Sequence, residues 1–175
     1  VTVVPNFESD LQVTHVVSGA VDKRMILRQR TMKCMQAMAC GAWVVSGNWV
    51  FESVKRNLIL DEKPYEVVAL KAGTSIGDQN APQRARQARI RASAVDSTGT
   101  SHLLFSGHSV LFLNDFPGPG AQKSQLAFLV TKAGGTVVDS LSKLNKDRSD
   151  HKFIVVTSSE ELGRVKDEWS MNGYH

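Results

Sequence analysis

Only two cysteines occur in 175 residues, Cys34 and Cys40, and both fall inside one predicted helix. That excludes a disulfide-stapled secreted fold and suits a reducing compartment, cytosol or nucleus. No apolar run approaches the ~20 residues needed to span a bilayer, and no signal-peptide pattern is present, so membrane insertion is not expected. The five histidines and two cysteines lack metal-ligand spacing, which argues against a structural metal.

Catalytic motifs are missing too. Gly107, His108 and Ser109 begin like a nucleophile elbow, but Leu111 stands where the closing glycine is required. Gly118, Gly120, Lys123 and Ser124 sit as in a P-loop, yet Pro117 and Gln122 occupy both required glycine positions. With no paired acid, base or nucleophile, an enzyme is not expected.

One absence is local. From Lys23 to Phe51 there is no Asp or Glu, while Lys23, Arg24, Arg28, Arg30 and Lys33 crowd into and just ahead of a predicted helix. Met32, Met35 and Ala39 recur at helical spacing with Met38 beside them, predicting a helix from about Gln29 to Cys40 that Gly41 ends. Cations are the wrong sign for a helix N-terminus, where free N–H groups favour acids by roughly 0.3–1 kcal/mol each. Two readings follow from the residues alone: an anion such as phosphate is bound there, or the face is merely solvated.

What is present is ordinary for a globular protein: 42% hydrophobic and 22% charged residues. The net charge of +4 permits acidic partners without selecting one. Val1–Val4 and Leu11–Val17 read as short buried strands, and a chain that begins inside a strand is expected to be cut from something longer. After the helix, Trp43, Val44 and Val45 predict a strand, Ser46, Gly47 and Asn48 a break, and the stretch to Leu60 another helix.

Residues 71–101 are rich in Gly, Ala, Gln, Ser and Arg and read as a linker between domains at 1–70 and 102–175. Within it Arg84, Arg86, Arg89 and Arg91 crowd together, as a solvated linker helix or as a contact for nucleic acid, nucleosomes or an acidic surface. Beyond it, strands are predicted at 110–113, 136–138 and 153–156, and helices at 122–132 and 159–171. Strands alternating with helices predict a parallel sheet with helices on its faces. A weak internal repeat aligns VTVV, a loop and LQVTHVV with TVV, a loop and KFIVVTS, so each half reads as an incomplete copy of one module.

The segments THVV at 14–17, RTMKCM at 30–35, GAWVVSGNWVFESV at 41–54, YEV at 65–67 and LAFLVTKAGGTVV at 126–138 resemble tandem BRCT repeats, as at the C-terminus of the breast-cancer susceptibility protein and its RING-domain partner. The resemblance implies an α/β fold in which each repeat is a four-stranded parallel sheet flanked by three helices. Here the first repeat would lack its start and the second its end. Trp49 matches the aromatic that such repeats bury at the start of their last helix.

The resemblance also implies a nuclear phosphoserine-peptide adaptor of the DNA-damage response, part of a RING ubiquitin-ligase complex, that binds pSer-x-x-Phe-like motifs without a cofactor. Lys33 would pair with the phosphate and Thr31 would assist. Arg30 would hold the peptide main chain near its third residue after the phosphoserine, and Met35, with Phe116 from the second repeat, would line the pocket for that residue. The Ser-Gly pair that shares the phosphate in this family would lie upstream of Val1. The alternative is direct binding of DNA, poly(ADP-ribose) or nucleosomes through the arginines at 84–91 and the basic helix. In the second repeat, Glu160, Glu161, Asp167 and Glu168 would repel a second phosphate.

Overall fold

The structure, a computed structural model, describes residues 2–4, 7, 12–93, 103–116, 120–140, 143, 152–158 and 161. Two compact units divide the chain, Val1–Leu103 and Leu104–His175.

In the first unit β1 (His15–Ser18) leads through the short β2 (Ile26–Leu27) into helix α1 (Met32–Cys40), then β3 (Trp43–Ser46) and helix α2 (Gly47–Lys55). β1 and β3 pair in parallel, His15 opposite Trp43 through Ser18 opposite Ser46. β4 (Ala69–Ala72) runs parallel to β2 and turns back antiparallel through β5 (Ser75–Ile76). A bridge between Val45 and Glu66, and a bond from Val67 N–H to the Val44 carbonyl at 2.8 Å, join this second sheet to the first. Among the described residues the unit thus holds two small sheets, joined at these bonds. Thr2–Val4 forms no strand, and Val3 is 89% exposed, so the buried strand read from VTVV is corrected there. β-Branched residues favour extended backbone, but a strand also needs a ladder partner, which the run itself does not specify.

α1 ends where the sequence sets it but starts at Met32, later than Gln29. Thr31 is extended and its Oγ1 accepts from Cys34 N–H at 3.3 Å, a side-chain N-cap. Gly41, at φ +73°, closes the helix: its N–H reaches the Met38 carbonyl and Ala42 N–H reaches Ala37. Cys34 and Ala37, with Met38, pack on Leu27, Ala42, Val44, Val67 and Leu70, while Met32, Met35 and Ala39 are only half-buried. Burial pushes the Cys34 thiol above its ordinary value, partly offset by hydrogen bonding to Thr31.

Ser46 does not break the chain but caps α2, its Oγ accepting from Asn48 N–H. The helix ends at Lys55 rather than near Leu60, and Val50, Phe51 and Val54 are exposed. Its inward anchor is Trp49, whose Nε1–H donates to the Leu60 carbonyl at 2.8 Å and whose ring stacks on His15 with centroids 4.8 Å apart.

The stretch after residue 70 is folded against the first unit. Helix α3 (Ala81–Ser93) packs on α1 and β3. A Cβ built on Gly41 would lie 2.6 Å from Arg89 Cβ, so the glycine that ends α1 also admits α3.

In the second unit β6 (His108–Phe112) is the centre of a three-stranded parallel sheet in the order β7 (Thr136–Val138), β6, β8 (Lys152–Val156). Helix α4 (Lys123–Lys132) places Val130 and Leu126 on Val110 and Phe112, and it ends at Gly134 by the geometry seen after α1. The strands expected at 110–113, 136–138 and 153–156 and the helix at 122–132 are all found within two residues. The helix expected over 159–171, with its acidic residues, falls outside the described residues except Glu161.

Candidate functional site

The site candidate is the N-terminal end of α1 with the segment that leads into it. Thr31 is the N-cap, Met32 the first helical residue and Lys33 the second; no acid lies in the first turn. Arg30, Thr31 and Lys33 are exposed and Met35 is half-buried one turn on. Arg30 N–H donates to the Lys71 carbonyl at 3.0 Å, so the end of β4 fixes where the helix begins. The structure therefore brings four predicted residues, Arg30, Thr31, Lys33 and Met35, onto one helix end. Thr31 Oγ accepts the cap bond, and a hydroxyl that accepts retains its proton for donation to an anion.

Thr31→Ala is expected to cost about 1 kcal/mol of folding stability, whereas Thr31→Ser costs less. Urea unfolding of both variants checks this, and equal losses would contradict the cap.

Ahead of the helix a hairpin spans residues 20–28. Val21 bridges Leu27, Arg28 N–H donates to the Ala20 carbonyl, and Asp22 N–H donates to Ile26. Asp22 Oδ1 accepts from Arg24 N–H at 2.9 Å and from Ile26 N–H at 3.0 Å, which fixes the turn. The Ile26 bond is the main cause that holds its carboxyl below the ordinary 3.8, with the Arg24 and Lys71 charges adding to it. A depressed folded pKa means that the turn's stabilisation is present above the unfolded pKa and is lost as pH falls through the folded one. The stability difference between wild type and Asp22→Asn should therefore change below about pH 4 and be flat from pH 5 to 8, by thermal unfolding. Asp22 was not singled out from sequence, although Asp opening a Lys-Arg turn is a recognisable signal.

The four arginines of α3 do not form one solvent-facing patch. Arg86 is largely withdrawn from solvent: its Nε and Nη2 donate to the Glu66 carboxylate at 3.2 and 3.0 Å, and its guanidinium lies 3.5 Å over the Trp43 ring. Arg84 bonds Asp78 and the Gln79 carbonyl, Arg89 packs against Gly41, and Arg91 is exposed. Arg86 is corrected from a ligand contact to a structural cation. The Glu66 partnership was not legible because nothing local joins positions 20 residues apart.

In the second unit Phe116 adopts φ +50° and its ring meets Phe112 edge-on at 6.3 Å. It is part of that unit's own packing. Ser109 lies within β6, paired on both sides by β7 and β8, where no nucleophile elbow can form.

No protein-family model matches the chain. Among solved structures it is similar to the BRCT5-BRCT6 domains of S. pombe Brc1, with a TM-score of 0.52 over 90% of this chain and 69% of that one, at 17% identity. The fold is that of tandem BRCT repeats. Sequence relatives match over most of the chain. The BRCA1-associated RING domain protein 1 of Arabidopsis thaliana is 28% identical over 79% of the chain, and the BREAST CANCER SUSCEPTIBILITY 1 homolog of the same plant is 28% identical over 78%. The mouse breast cancer type 1 susceptibility protein homolog is 27% identical over 85%. The chain spans 17%, 13% and 7% of those relatives' own lengths.

Proposed function

We propose that this BRCT chain is a phosphoserine-peptide-binding adaptor of a nuclear DNA-damage-response protein, acting within a RING ubiquitin-ligase complex, and not an enzyme. Its repeats are assigned to residues 1–70 and 102–175, with 71–101 connecting them. The observation that carries the reading is the α1 N-terminus, capped by Thr31, free of acid and flanked by exposed Arg30 and Lys33. A phosphate dianion placed there meets free N–H groups, the positive end of the helix and the Lys33 ammonium together. Arg30 holds the peptide main chain and Met35 offers apolar surface to its third residue after the phosphoserine. The half-buried face of Met32, Met35 and Ala39 supports this, because a residue packed into the core could not receive a ligand.

Calorimetric titration with a pSer-x-x-Phe peptide and its unphosphorylated twin tests the proposal. Binding of the phosphopeptide alone is expected. Equal binding of the two, or binding only of DNA with a steep salt dependence, would defeat it.

A further inference from the structure

Several arginines of the first unit are held by carboxylates. Arg56 pairs with Glu52 at 3.6 Å, Arg84 with Asp78 at 3.3 Å and Arg86 with Glu66 at 3.0 Å. Lys23, Arg24, Arg28 and Arg30 are all exposed, and among the described residues none of them forms an ion pair. Asp22, the carboxylate of the turn itself, has its Oδ1 committed to two backbone N–H groups.

The hairpin lays these charges out in a line. Ala20 is opposite Arg28 and Asp22 opposite Ile26, so Lys23 and Arg24 occupy the tip. Three residues of strand separate base from tip, about 10 Å. From Lys33 the line passes Arg30, then Arg28 at the hairpin base, then Arg24 and Lys23. An extended peptide covers the same 10 Å in about three residues.

We propose that the ligand of this site is an acidic phosphopeptide, whose carboxylates follow the third residue after the phosphoserine and lie along the 20–28 hairpin. The inference rests on the phosphoserine reading above and deepens it: Arg30 at that third residue sets the direction in which the line continues. A peptide fits better than a nucleic-acid duplex. A duplex-binding surface engages on the order of six to ten phosphates, and the α3 arginines that would widen this narrow line are diverted, Arg86 being held against Glu66 and Arg84 paired with Asp78.

The test measures affinities of the full chain for three pSer-x-x-Phe peptides: one with neutral flanks, one with three Asp or Glu residues directly after the Phe, and one with the same acids before the phosphoserine. The acidic tail after the Phe is expected to tighten binding about five- to tenfold at 50 mM salt, and the gain should shrink at 0.5 M. Arg24→Ala with Arg28→Ala should remove that gain and leave the neutral peptide's affinity within about twofold, since neither residue is placed on the phosphate. No gain, an equal gain from acids on the other side, or a gain that survives in the variant overturns the inference. So does duplex DNA that binds as tightly as the tailed peptide and is lost in the same variant. Should the neutral phosphopeptide bind no better than its unphosphorylated twin, the phosphoserine reading fails and this inference with it. Should it bind better but ignore the tail, only the inference fails.

Discussion

Lys33→Met is expected to weaken phosphopeptide binding by about 10- to 100-fold and to leave the unphosphorylated peptide's affinity unchanged. The size follows from losing a charge-assisted hydrogen bond to a dianion, worth about 1.5–3 kcal/mol. The same substitution should leave stability unchanged or raise it slightly. Lys33 is exposed at the second position of α1, where the partial positive charge of the helix opposes a cation by about 0.3–1 kcal/mol. Lost binding with undiminished stability separates a ligand residue from a packing residue. Met35→Ala is the companion measurement: it should weaken both peptides while the preference for phosphate persists, because it removes apolar surface and no charge. A Lys33→Met protein that still prefers the phosphopeptide as strongly as wild type would show that the phosphate lies elsewhere.

Breaking the Arg86–Glu66 pair is expected to be the most destabilising single change. The two side chains are 12% and 7% exposed, and the carboxylate receives two guanidinium N–H groups. Glu66→Ala leaves a nearly buried cation beside Trp43 with no counter-charge, for which about 3 kcal/mol is the expected cost. The loss would reach the site, since Arg86 is the point at which α3 is fastened to β3 and α3 packs on α1. Glu66→Leu combined with Arg86→Met should recover most of the stability, because an apolar pair of similar volume has no charge to desolvate. Denaturant unfolding of the single and double variants decides the point. A single variant that costs under about 1 kcal/mol, or a double that costs as much as the single, would mean that water already reaches the pair.

Much of the first unit was legible because its signals are local. Gly41 as terminator and Trp43–Val45 as strand depend on a few neighbouring residues and on backbone geometry that glycine satisfies easily. The cation-rich, acid-free lead into α1 was equally visible, since charge is read directly. Two features differ for one reason. The strand expected at VTVV does not form at Thr2–Val4, and Arg86, expected on a solvated or ligand-contacting helix face, is held by Glu66. Each depends on what comes to lie opposite in space.

The sequence by itself determined that helices alternate with parallel strands, where α1 ends, and that several cations and no acid surround its start. Those properties are written in residue type and short-range spacing. Only the tertiary structure decided that Cys34 and Ala37, joined by Met38, enter the core; that Arg30 is anchored by the Lys71 carbonyl; and that Arg86 is neutralised by Glu66 while Arg24 and Arg28 stay in water. The reason is desolvation. Whether a charge is held by a carboxylate or left for a ligand depends on which groups the folded chain brings within a few ångströms, and residues 20 to 40 positions apart meet only after the sheet and helices have packed.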